Sequence, residues 1–139
     1  DHSTDIEEIT DSQTEKNLQK KKILVVEDDF TNRELIKIYL SEHYNLTFAA
    51  SANEALRATD NNKFDLCLID INLGSKPNGI ELLGLIHKKS VEPPIAIAMT
   101  AYYLNSTEKE CLDAGFNFFI SKPLKRKKLL ETIDGFLLS

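Results

Sequence analysis

The stretch Ile23-Leu24-Val25-Val26-Glu27-Asp28-Asp29 runs from four apolar residues straight into three acids. An apolar run without polar alternation marks a strand covered on both faces, as in a parallel sheet. Two further runs share this character: Leu66-Cys67-Leu68-Ile69, which ends on Asp70, and Ile95-Ala96-Ile97-Ala98-Met99, which ends on Thr100. With them, strands are predicted at Ile23–Glu27, Leu46–Ala50, Phe64–Asp70, Ile95–Thr100 and Asn117–Ser121. Amphipathic stretches alternate with these strands. Phe30–Glu42 carries Leu35, Ile36, Tyr39 and Leu40 on one stripe, Ala52–Asn61 carries Ala55, Leu56 and Thr59, and Gly79–Lys89 carries Ile80, Leu83 and either Ile86 or His87. Thr107–Ala114 opens with Thr107-x-x-Glu110, which reads as a capping box, and stops at Gly115; Lys125–Leu138 carries Leu130, Ile133 and Leu137. Asp29, just before Phe30, is of a residue type that caps helices. The alternation is (βα)₅. Short right-handed crossovers then give an α/β fold, a doubly wound five-stranded parallel sheet, since five units are too few to close an eight-stranded barrel.

The chain has 139 residues, 42% apolar and 28% charged, which suits one domain with a real core. Its apolar runs are too short to span a bilayer, and no secretory leader opens it. Cys67 and Cys111 match neither a disulfide framework nor a zinc pattern. A cytoplasmic location with reduced thiols is expected. The charge is unevenly placed. Residues 1–19 hold six acids (Asp1, Asp5, Glu7, Glu8, Asp11, Glu15) against Lys16, a net of −5, whereas 20–139 hold sixteen of each sign. Bulk charge therefore gives no support to a nucleic-acid surface. Residues 1–19 also carry few aliphatics and read as an acidic, disordered leader or interdomain linker before a folded unit at 20–139. The chain reads as an excerpt of a longer protein.

In open parallel sheets, ligands sit beyond the carboxyl ends of the strands. The residues ending the apolar runs are Glu27, Asp28, Asp70, Thr100 and Lys122, which are acids, a hydroxyl and an ammonium converging on one edge. Three crowded carboxylates repel, and at least one would be driven to hold a proton. A divalent cation removes the conflict, and an oxygen-only ligand set suits Mg²⁺ or Mn²⁺. Adding a lysine and a hydroxyl makes a place for a tetrahedral dianion, and aspartate is a known covalent nucleophile in phosphoryl transfer. No glycine-rich phosphate loop is present. Haloacid-dehalogenase-like phosphatases and Toprim nucleases also use acids on such sheets, but both need Asp-x-Asp where this chain has Asp70-Ile71-Asn72.

These motifs, together with Asn32-Arg33, Asn78-Gly79-Ile80-Glu81-Leu82, Met99-Thr100-Ala101 and Ser121-Lys122-Pro123-Leu124, resemble the receiver domain of two-component response regulators from Lys20 to Leu138. The resemblance implies a flavodoxin-like strand order 2-1-3-4-5. By the same resemblance Asp70 is the phosphoacceptor, with Asp28, Glu27 and the backbone carbonyl of Asn72 around Mg²⁺. Thr100 and Phe119 form the switch, Lys122 binds the phosphoryl group, and Lys122–Pro123 is a cis peptide. Tyr102, two after the switch threonine, would lie across the phosphoryl and lengthen its lifetime. The partner implied is a histidine kinase or histidine phosphotransfer domain, with a homodimer through the last two helices and fifth strand. The parent would be a hybrid sensor histidine kinase, with a single-domain regulator as the alternative. A phosphorylation-independent pseudo-receiver and an Mg²⁺-dependent phosphohydrolase are the rival functions. One departure stands out: Asp70 to Gly79 spans nine positions where many relatives have eight. His2, His43 and His87 suit linker or helix-end positions better than catalysis. Lys125-Arg126-Lys127-Lys128 reads as a solvated helix face, although four cations at a helix start oppose the macrodipole.

Overall fold

The computed structural model describes residues 20–101 and 105–138. Five strands, β1 (Lys22–Val26), β2 (Asn45–Ala49), β3 (Leu66–Asp70), β4 (Ile95–Thr100) and β5 (Phe118–Ser121), alternate with five helices. The helices are α1 (Phe30–Leu40), α2 (Ala52–Asn61), α3 (Gly79–Lys89), α4 (Asn105–Ala114) and α5 (Arg126–Leu137). All strand pairs are parallel, in the order β2-β1-β3-β4-β5. The doubly wound sheet and its strand order are as expected.

The unbroken apolar runs are explained by two cores, one on each face. Leu24 and Val26 of β1, Cys67 and Ile69 of β3, and Ala96 and Ala98 of β4 face Ala52 and Ala55 of α2, Leu82, Leu83 and Ile86 of α3, and Cys111 of α4. The alternate residues Ile23, Val25, Leu66, Leu68, Ile97 and Met99 face Ile36 and Leu40 of α1 and Leu129 and Ile133 of α5. A strand that serves both layers has no face left for polar side chains. The edge strand β2 is half-buried along most of its length.

Helix starts follow local chemistry. Asp29 accepts the Asn32 N–H at 2.8 Å and caps α1, while Ser51 accepts from the Glu54 N–H and caps α2. The reciprocal capping box occurs at α3. There the Asn78 side chain takes the Glu81 N–H at 2.9 Å and the Glu81 carboxylate takes the Asn78 N–H at 3.1 Å. The box expected at Thr107 is not the start of α4, which already runs from Asn105 and leaves Thr107 inside the first turn. Gly115 ends that helix at φ +109°, and a side chain there would also meet His87 Cε1 at 2.8 Å. In α5 the buried pair is Leu129 and Ile133, with Leu130 and Leu137 only partly covered. The apolar stripe is rotated by about a residue from the one the spacing suggested.

Candidate functional site

The switch in strand order lies between β1 and β3, so Glu27 and Asp70 emerge beside each other. Carboxylate oxygens of Glu27, Asp28 and Asp70 lie within 4.8 Å of one another. Glu27 and Asp70 are buried, whereas Asp28 is exposed at the rim. Lys122, delivered by the end of β5, reaches across β4 to both buried acids, with Nζ at 2.9 Å from Glu27 Oε2 and 3.0 Å from Asp70 Oδ2. The ammonium answers the crowding that the sequence foretells. Burial raises the Glu27 carboxyl above its ordinary value, Asp70 adds to the rise, and Lys122 opposes it. For Lys122, desolvation lowers the ammonium's pKa, but its two carboxylate partners outweigh this and raise it.

Each acid is held by groups that single-residue reasoning does not find. Glu27 Oε1 accepts the Asp29 N–H at 3.2 Å and the Asn32 side-chain amide at 3.5 Å. Arg33 Nη1 donates to the Glu27 carbonyl at 2.8 Å, tying the first turn of α1 to the end of β1. Asp70 Oδ1 accepts the Asn72 N–H at 2.8 Å, and Asp28 Oδ2 accepts the Gly74 N–H at 3.0 Å. Gly79 is the residue that lets α3 approach. A Cβ there would stand 2.3 Å from the Asp70 carbonyl oxygen and 2.6 Å from Ile71 Cα. The sequence marked Asn32-Arg33 and Gly79 as parts of motifs. Their contacts are with the strand end just before each helix, and depend on the angle at which the helix leaves that strand.

Thr100 is buried at the end of β4, one residue beyond the Met99 that pairs with Asp70, and its carbonyl accepts the Lys122 N–H at 2.7 Å. Phe119 is half-buried, packed on the α2–α3–α4 side of the sheet and 6.3 Å from the Phe118 ring. The Lys122–Pro123 peptide is cis, as is Lys76–Pro77 in the longer loop after β3. Asn72 is exposed on that loop. Tyr102 lies outside the described residues.

Three carboxylates with a rim opening fit a hard divalent cation. Glu27 Oε2 supports the fit, because it is buried, in ion contact with Lys122, and without a hydrogen bond of good alignment. Residues 23–134 match the response regulator receiver domain. The chain belongs to this family. Receiver domains are signalling domains of two-component systems. This receiver is 32% identical over 129 residues to the osmosensing histidine protein kinase SLN1 of Saccharomyces cerevisiae, covering 88% of this chain and 10% of that protein. It is 31% identical to the response regulator protein PilR of Pseudomonas aeruginosa, over 84% of this chain and 26% of PilR. The receiver thus spans a minor part of both relatives. Among solved structures, a CheY-like receiver domain protein from Methanospirillum hungatei superposes with a TM-score of 0.76 at 35% identity, covering 84% of this chain and 93% of that one. No helix among the described residues is long and apolar enough to cross a membrane.

Proposed function

We propose that this receiver, the folded unit from residue 20 onward, takes a phosphoryl group onto Asp70 from the phosphohistidine of a histidine kinase or histidine phosphotransfer protein. The observation that carries the reading is Asp70 itself: a buried carboxylate between two further acids and an ammonium at 3.0 Å, at the switch point of the sheet. In the transfer, an Asp70 oxygen forms the new O–P bond while the N–P bond breaks and its electron pair returns to the imidazole. The Lys122 ammonium stays within reach of the added charge, and the Asn72 N–H holds the carboxylate by its other oxygen.

Asp28, Glu27, Asp70 and the Asn72 carbonyl would hold Mg²⁺, or Mn²⁺ in its place, which supplies charge neutralisation for the transferring group. The dianion then draws the Thr100 hydroxyl toward it, and Phe119 moves into the space released. This shifts the surface formed by α4, β5 and α5 toward a second packing that a partner or a second copy reads. A cytoplasmic setting follows from a phosphohistidine donor, and the relation to SLN1 favours a hybrid histidine kinase as the parent.

The test is labelling with a small phosphodonor, with and without Mg²⁺. Stoichiometric, hydroxylamine-labile label that requires Mg²⁺ and disappears in Asp70→Asn is expected. An Asp70→Asn protein that still takes one phosphoryl per chain would displace the assignment. Absence of label in the wild type would favour a pseudo-receiver, and steady turnover a phosphohydrolase. Tyr102→Ala or Tyr102→Glu should shorten the lifetime of the label; equal decay in wild type and variants would remove Tyr102 from the account.

A further inference from the structure

The first turn of α5 is electrostatically unusual. Lys125, Arg126, Lys127 and Lys128 are all exposed, no acid lies in the turn, and Lys125 at the N-cap makes no side-chain capping bond. Cations at a helix start oppose the macrodipole, so the turn gathers positive potential with nothing of its own to offset it. Among the described residues, none of the four is ion-paired with a carboxylate. The turn borders a groove of about 500 Å³ between α4 and β5, lined by Phe118, Phe119, Lys125, Lys128 and a single acid, Glu108. Lys128 Nζ lies 5.7 Å from the centre of the Phe118 ring, so the groove offers apolar and cationic surface side by side.

The same chain carries the complement. Residues 1–19 hold six acids and one base, with Ile6 and Ile9 set among Asp5, Glu7 and Glu8. We infer that this acidic leader docks on the basic turn of α5 and the Phe118–Phe119 groove of its own receiver. Reach allows it. The leader joins β1 where the strands begin, and the basic turn lies three strands across at the edge where they end. Three strand spacings of ~4.8 Å and a five-residue strand give a separation of roughly 22 Å, or about 40 Å around the surface. Asp5 to Glu8 stand twelve to fifteen residues before Lys20 and command ~40–50 Å of extended chain. Tethering puts the segment at an effective concentration on the order of millimolar, so weak ionic contacts suffice. The contact covers Phe119, and it stands whether or not Asp70 accepts phosphate.

The native thiols Cys67 and Cys111 are buried, so a nitroxide label placed through Ser3→Cys in the full chain reports from the leader alone. The expected result is loss of amide signal at Phe118, Phe119 and Lys125–Lys128, exceeding that at Ser51–Ala55. That site, after β2, is next to β1 and at least as accessible to a tail without preference. Raising salt from about 0.05 M to about 0.5 M, which shortens the Debye length from roughly 14 to 4 Å, should restore the signals. The fourfold change K125Q/R126Q/K127Q/K128Q should restore them too, as should E7Q/E8Q/D11N in the leader, which leaves the folded residues untouched. Uniform signal loss, loss at Ser51–Ala55 instead, or insensitivity to both sets of substitutions would overturn the inference. So would equal loss when the label is on one copy and the observed amides are on another.

Discussion

Individual side chains tie distant parts of the chain together. The Tyr44 hydroxyl, buried just before β2, donates to the Asp134 carboxylate of α5, so one hydrogen bond joins residues ninety positions apart. Burial and the Asp134 charge both raise the phenol's pKa. Tyr44→Phe keeps the ring and removes this charge-assisted bond. We expect a loss of about 2 kcal/mol, read as a lower urea midpoint with unchanged slope. An unchanged midpoint would show that the bond adds nothing net. Tyr44 and Asp134 were not marked in the sequence, because a hydroxyl's partner is a matter of which surfaces meet.

At the scale of elements, α3 presents two glycines with opposite demands. Gly79 opens the helix against the backbone of Asp70 and Ile71, and a methyl group there has no room. Gly84, in the middle of the same helix, has nothing within 4 Å of where a Cβ would stand. Gly79→Ala should therefore cost about 2–3 kcal/mol through overpacking and displace the Asp70 backbone, lowering labelling as well as stability. Gly84→Ala should raise stability by about 0.5–1 kcal/mol through helix propensity alone and leave labelling unchanged. Paired urea melts and label yields check both. A neutral Gly79→Ala would mean that α3 can stand off from β3.

At the scale of the molecule, the sandwiched sheet sets the response to alkali. Cys67 is fully enclosed in mid-strand, and burial pushes its thiol up to about 12 from an ordinary 9. A raised pKa in the folded state means that the neutral thiol favours the fold. That contribution is whole below about pH 9 and lost as pH climbs toward 12. The Tyr44 phenol, also raised, acts in the same direction at higher pH. By pH ~10.5 the Cys67 share of the loss should be about 2 kcal/mol. Urea midpoints followed from pH 8 to 11 should fall, and fall less steeply in Cys67→Ala. Parallel slopes would show that burial leaves the thiol's pKa where it stands in the unfolded chain.

From its residues alone the sequence specifies the alternation of elements, the parallel sheet and the convergence of Glu27, Asp28, Asp70, Thr100 and Lys122 on one edge. It could do so because a strand covered on both faces needs an unbroken apolar run, and such a run makes its first polar residue conspicuous. What those residues touch follows from the packing of the assembled fold. The Lys122 ammonium pairs with Glu27 and Asp70 together because β5 and β1 are brought to the same end of one sheet. The Gly74 amide holds Asp28 across a separation of 46 residues, whereas Arg33 on the Glu27 carbonyl and Gly79 against the Asp70 backbone depend on how each helix folds back on the strand just before it. The start of α4 at Asn105 overrides the cap signal at Thr107, a signal that weighs only about 1 kcal/mol. Periodicity reports which side of an element is buried. Which atoms meet there depends on the relative placement of elements far apart in the chain.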